Sequence, residues 1–298
     1  MTVNIKDPVT EAPPVAPPSS NGFDALVPKD MAHKAEAAGI TKANLDFLSM
    51  SGLSVLAGSF IALGAIFATI ALTGTSSAPF GWARIVAGVV FSLGLILVVV
   101  GGAELFTGNV LTVMAWADRR VSTTRLLRSW VIVYAGNFIG AILTALIVFW
   151  SKEYTMSKGA VGAQALSIGL TKVNLDFVQA IMLGVLCNAL VCLAVWLCMS
   201  ARTTLDKIAS IIFPIAAFVA CGFEHSIANM YFIPQALFIK AWAPASFWST
   251  AGLDPAAYGN LTWYGFFVKN LLPVTIGNII GGAVLVGAVY WVVYLRKR

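Results

Sequence analysis

The chain has 298 residues, of which 59% are hydrophobic and only 11% charged, and it carries a formal net charge of +6. Soluble domains carry roughly 25% charged residues, and a soluble helical core shows a polar stripe on each helix that the apolar runs here lack. A water-soluble globular protein is excluded, and the positive charge is read as a signal of membrane topology, with no nucleic-acid partner implied.

Residues 1–22 are polar and Pro-rich (Pro8, Pro13, Pro14, Pro17, Pro18) and contain no apolar core of a signal peptide. A disordered tail that stays on the side of synthesis is expected there. Residues 23–45 mix apolar and charged side chains, which predicts an amphipathic helix at the cytoplasmic membrane surface over Asp24–Lys42. Residues 46–298 form the transmembrane domain. Stretches without Asp, Glu, Lys or Arg cover 47–83, 85–103, 129–151, 177–201 and 270–295, each at or above the about 18 residues that mark a membrane helix.

Six spans fit the pattern: 47–73, 82–117, 126–151, 174–201, 208–239 and 264–295. The second and fifth exceed 30 residues, on the order of 50 Å of helix where about 20 residues suffice. Each is interrupted by a Glu among small and hydroxylated residues. The expectation is an all-α membrane protein whose second and fifth helices are broken at mid-membrane depth, where irregular backbone survives only if protein buries it or it lines a wet cavity. With both termini cytoplasmic, thirteen Lys and Arg fall inside and six outside, the asymmetry of the positive-inside rule. The four cysteines (Cys187, Cys192, Cys198, Cys221) lie in apolar spans and read as small buried hydrophobes.

The two interruptions resemble one another. Ala103-Glu104-Leu105-Phe106-Thr107-Gly108-Asn109 and Phe223-Glu224-His225-Ser226-Ile227-Ala228-Asn229 share a Glu and, five positions on, an Asn, offset by 120 residues (224 − 104). Gly136-Asn137-Phe138-Ile139-Gly140 is echoed by Gly277-Asn278-Ile279-Ile280-Gly281. Three spans per half is an odd number, so the halves enter from opposite faces and form inverted repeats with a transport site at the breaks.

Helix N-termini restarting at Thr107–Asn109 and Ser226–Asn229 would aim N–H groups at the centre, which favours a small anion. Thr107 and Ser226 read either as solute contacts or as N-caps. His225 is a titratable group at membrane depth, where such groups usually serve a path. Glu104 and Glu224 read as carboxylates accepting freed backbone N–H groups. Asn188 and Asn278 are buried donors, and the Gly136/Gly140 and Gly277/Gly281 pairs allow close helix packing. Phe91 and Leu95 share a helix face before Glu104, with Leu105, Phe106 and Phe218 near the breaks, as apolar constrictions around a polar centre would require. Lys172 reads as a loop lysine. An intramembrane enzyme using His225 and Ser226 is disfavoured because neighbours on a tight turn rarely face each other. A redox anchor is disfavoured because one membrane histidine cannot supply paired haem ligands, and no cofactor or metal is expected.

The runs Pro79-Phe80-Gly81, Phe91-Ser92-Leu93-Gly94-Leu95, Glu104–Asn109, Phe223–Met230 and Pro273-Val274-Thr275-Ile276-Gly277-Asn278 resemble the formate/nitrite transporter family, over roughly Phe23 to Arg298. Within it the Phe91–Leu95 run, Ile233-Pro234 and the Pro273–Asn278 run are more similar to the formate branch than to the nitrite branch. The resemblance implies an aquaporin-like protomer with its own pore, a homopentamer in the bacterial inner membrane, and a channel for formate and related small monovalent anions or their neutral acids. Nitrite or hydrosulfide is the alternative solute. It implies a central site at Thr107 and His225, supporting roles for Lys172, Asn188, Glu224 and Asn278, and constrictions at Leu95, Leu105 and Phe106 on one side and Phe91 and Phe218 on the other. Lys172 becomes an anion attractor only on this resemblance. His225 could hand the anion a proton, with passage as an anion past a hydrogen-bonding His225 as the competing mechanism. The Asp24–Lys42 segment, which joins charged residues and His33 to an apolar stripe, is expected to act as a pH-dependent lid, a reading to which the resemblance adds.

Overall fold

The computed structural model describes residues 25–296. The expected Pro-rich tail over 1–22 and the first residues of the predicted surface helix lie outside the described residues. Every regular element among the described residues is helical. Five helices are long and apolar enough to cross a membrane: α2 (Phe47–Leu72), α3 (Phe80–Gly101), α6 (Thr123–Trp150), α8 (Phe177–Ser200) and a final run over Gly265–Leu295. That run contains α12 (Leu272–Ile279) between wider π-type turns at Gly265–Leu271 and Ile280–Ala288.

Local chemistry sets the starts of these helices. The Asp46 carboxylate accepts from the N–H groups of Leu48 and Ser49, each at 3.0 Å, and opens α2. Asp176 does the same for α8 at 3.0 and 3.2 Å, with Gln179 completing a capping box. Such caps satisfy N–H groups that the first turn leaves without helical partners.

The segments 82–117 and 208–239 are both divided. α3 stops at Gly101, and Gly102 turns the chain with φ 83°. Leu105 is extended, and helix resumes as α4 (Phe106–Asn109), a 3-10 turn at Val110–Thr112 and α5 (Val113–Ala117). α9 (Thr204–Ala220) stops before Gly222, φ 74°, and α10 (Ser226–Trp242) follows an extended His225. A left-handed residue at a helix end favours glycine, which has no Cβ to clash. Gly102 and Gly222 are 120 positions apart (222 − 102), the offset of the two glutamates.

Helix α2 packs on α3 and α6, α8 packs on α9 and α12, and α3 packs on α9. Gly140 of α6 lies against the Val55 backbone of α2, and Gly281 against the Val185 backbone of α8, with no room for a Cβ at either contact. The small-residue pairs therefore act as helix contacts. Large apolar side chains such as Leu48, Val131, Ile147 and Phe213 face outward, as lipid or a neighbouring protomer would require.

Three features differ from the sequence expectations. Lys172 lies not in a loop but on α7 (Ala160–Val173), which packs against α10. Cys221, at the C-cap of α9, is exposed, whereas Cys187, Cys192 and Cys198 are buried. The N-terminal helix α1 (Pro28–Ala43) buries Met31, Ala32 and Ala35 against Met114, Trp196 and Leu295. Its apolar face is occupied by the protein itself.

Candidate functional site

At each interruption the chain loses helical hydrogen bonds in the interior, and an asparagine from a neighbouring helix replaces them. Asn137 Oδ1 accepts from the Phe106 N–H at 2.9 Å, while its Nδ2 donates to Ser54 O at 2.7 Å and Glu104 O at 2.9 Å. Asn278 Oδ1 accepts from the Ser226 N–H at 2.9 Å, and its Nδ2 donates to Gly184 O and Glu224 O, both at 2.9 Å. The freed backbone groups are thus held by these asparagines and not, as the sequence suggested, by the glutamates.

The glutamates bind side chains instead. Glu104 takes Lys42 Nζ on one oxygen at 2.7 Å and Asn109 Nδ2 on the other at 2.6 Å. Glu224 takes Lys172 Nζ at 2.7 Å and Asn229 Nδ2 at 2.6 Å, with Asn270 Nδ2 at 3.2 Å. Both carboxylates are buried. A lone charge at that depth costs several kcal/mol, on the order of 3–5 when a buried pair is broken, so each Lys–Glu–Asn set is self-compensating.

Between the interruptions, Thr107 Oγ1 and His225 Nε2 meet at 3.0 Å. His225 Nδ1 accepts the Ala228 N–H at 3.0 Å and so forms the N-cap of α10. A nitrogen that accepts cannot carry the proton, so the neutral ring bears it on Nε2, which donates to Thr107. Capping therefore falls to His225, not to Ser226, whose hydroxyl has no partner among the described residues. Leu105 occupies the cap position of α4 with no side-chain bond, so Thr107 is no cap either. Asn188 Nδ2 donates to Thr107 O at 3.1 Å and Asn278 O at 2.6 Å, while its oxygen is buried without a partner among the described residues.

Aromatic side chains gather beside His225. Phe91 and Phe218 contact edge to face at 5.6 Å, and Phe218 stacks on His225 at 5.8 Å. Phe232 joins them, stacked on Phe91 at 6.5 Å and lying 5.4 Å beneath Lys172 Nζ. Leu95 and Leu105 are buried in the main core, and Phe106 packs edge-on to Tyr134 at 4.9 Å. None of these three lines the large cavity of about 520 Å³ that opens between α3, α7 and α9 and ends at Phe91, Phe218, His225 and Phe232.

Lys42 and Phe232 were missed from sequence. A signal for Lys42 was present: Thr41-Lys42-Ala43-Asn44-Leu45-Asp46-Phe47 returns as Thr171-Lys172-Val173-Asn174-Leu175-Asp176-Phe177, 130 positions on (172 − 42). The repeat extends to a lysine in each half.

The formate/nitrite transporter family model matches residues 29–292. The formate channel FocA of Escherichia coli K12 is 47% identical over 280 residues, covering 94% of this chain and 98% of that protein. The formate channel FocA of Haemophilus influenzae is 43% identical, covering 88% and 93%. A solved structure described as a pentameric formate channel with formate bound superposes with a TM-score of 0.79 at 42% identity, covering 90% of this chain and 99% of that one. An ion channel of the same family superposes at 0.76 with 27% identity, covering 89% and 98%. The all-helical fold, the apolar helices and these matches agree on an integral membrane transporter and not an enzyme, and the chain belongs to the formate/nitrite transporter family.

Proposed function

We propose that this chain is a passive channel for formate and related small monovalent anions, or their neutral acids, in the bacterial inner membrane. The observation that carries the reading is the meeting of Thr107 and His225 between two self-compensating Lys–Glu–Asn sets. In this reading the chain has six spans as two inverted three-span repeats, and the breaks after α3 and α9 lie at mid-membrane depth. Residues 46–298 form the channel domain, both termini are cytoplasmic, and five copies assemble with one pore each. The named relatives are formate channels and the similar solved structure is pentameric, which supports formate over nitrite or hydrosulfide.

The solute would cross the Phe91–Phe218–Phe232 cluster, meet hydrogen-bond donors at Thr107, His225 and Asn188, and leave past Leu95, Leu105 and Phe106. Apolar slits oppose a hydrated ion, because stripping its water is costly. The Ala228 N–H on Nδ1 holds His225 as a neutral Nε2 donor, which favours a hydrogen-bonding role over proton release from an imidazolium. The test is reconstitution in liposomes with formate, nitrite, hydrosulfide and acetate. His225→Phe is expected to cut formate flux by roughly tenfold to a hundredfold, the equivalent of a lost hydrogen bond to a charged solute of about 1.5–3 kcal/mol. Assembly by size should persist. Unchanged flux would return His225 to helix capping alone.

Helix α1 is proposed to be a pH-dependent element at the cytoplasmic mouth. Partial burial, then the hydrogen-bonded Asp118 carboxyl, push the Glu36 carboxyl up from its ordinary value, with Arg120 and His33 opposing. A raised value means the docked helix holds the proton more tightly. Docking is therefore strongest below the ordinary carboxylate range and weakens as pH rises through the raised value. Glu36→Gln should flatten the part of the pH profile of formate flux that lies above the ordinary carboxylate range. An unaltered profile would remove Glu36 from gating. Deleting the whole helix would be a poorer test, since it strips Lys42 from Glu104.

A further inference from the structure

We propose that Arg84, and not Lys172, is the cation that collects anions at the large vestibule and so sets how readily a small monovalent carboxylate is admitted. The proposal rests on the transport reading above and adds a residue to it. Three formally charged side chains line the cavity: Arg84, Lys172 and Glu224. Lys172 and Glu224 lie 2.7 Å apart, so their fields largely cancel beyond the pair. Arg84 instead donates to backbone oxygens, from Nε to Ala220 O at 3.1 Å and from Nη2 to Val219 O at 2.6 Å. The vestibule keeps one net positive charge, and Arg84 is its cation that makes no salt bridge among the described residues.

The guanidinium is also placed to receive a solute. Two of its five N–H donors are used on α9, and the other three have no partner among the described residues. Gly222 beside it carries no side chain, and a Cβ there would come within 3.3 Å of Nη2. Gln164, Ser167 and Thr171 of α7 give the cavity polar side chains. A cation in a cleft with low-dielectric walls concentrates anions in front of the constriction. The competing use is a structural one. Arg84 sits at the C-terminal end of α9, where a cation also satisfies terminal carbonyls.

The experiment compares wild type, Arg84→Gln and Arg84→Lys in liposomes. Formate permeability is read at subsaturating concentration, at low ionic strength and again in about 1 M impermeant salt, where the screening length falls to about 3 Å. The expected result is a loss of about 3- to 10-fold in Arg84→Gln at low ionic strength, the scale of one charge acting over several ångströms in partly screened surroundings. Arg84→Lys should stay near wild type, and the difference should collapse in high salt. Equal permeability of Arg84→Gln and wild type at low salt would overturn the proposal. So would an equal, salt-independent loss in both variants, which is the signature of a cap. If wild type passes no formate, the transport reading fails instead, and the field is read separately at Cys221. That thiol is exposed and follows directly on Ala220, whose carbonyl accepts from Arg84 Nε. Its relative reaction rate with anionic over cationic thiol reagents should fall about 3- to 10-fold in Arg84→Gln, and an unchanged ratio overturns the assignment.

Discussion

Asn278→Leu is expected to destroy the assembled protein more effectively than any substitution at the central Thr107–His225 pair. Leu matches the shape of Asn while removing its three hydrogen bonds, to Ser226 N, Gly184 O and Glu224 O. The first and last partners lie at the interruption, where no helical bond replaces them. Each buried polar group left without a partner costs about 1–3 kcal/mol, so the two at the interruption should together cost about 2–6 kcal/mol. Asn137→Leu should behave alike, since it strips Phe106 N, Ser54 O and Glu104 O. Thermal unfolding of the purified protein, together with its yield, gives the measurement. Melting within a degree or two of wild type for both variants would mean that water replaces the asparagines, and the interruptions would then be wetter than their burial indicates.

Lys172→Met is expected to cost about 3–5 kcal/mol, the penalty for leaving one member of a buried ion pair without the other. The Lys172 side chain is 14% exposed and that of Glu224 only 6%, against 32% for Lys42 in the equivalent pair. Lys42→Met should therefore cost less, because water reaches that lysine and screens the carboxylate. The double variant Lys172→Met with Glu224→Gln should recover much of the loss, since no uncompensated charge remains. Denaturation of the two single variants and the double variant in parallel checks all three statements. If Lys172→Met and Lys42→Met are equally mild, the pairs contribute nothing beyond surface charge, and the symmetric reading of the two lysines loses its energetic basis.

Much of this protein is legible in its sequence because a bilayer imposes simple demands. Apolar runs of fixed length mark α2, α3, α6 and α8, and the repeated Glu and Asn mark both interruptions. The close glycine contacts follow from the Gly136/Gly140 and Gly277/Gly281 spacings. Sequence reading went wrong where a residue's role depends on which distant side chain it meets. Glu104 and Glu224 were read as acceptors for backbone N–H groups, yet they bind Lys42 and Lys172, 62 and 52 positions away. The backbone task went to Asn137 and Asn278 because their helices, held close by glycine, bring the short amide against the freed N–H.

Sequence by itself determined the membrane class and the two interruptions, because each rests on local composition or on repetition along the chain. Only the tertiary structure decided which nitrogen of His225 carries its proton, that Lys172 pairs with Glu224 while Arg84 binds backbone carbonyls, and that Phe232 joins Phe91 and Phe218. Those facts are set by side chains converging from α3, α7, α9 and α10, and no spacing along one segment encodes a distance between segments.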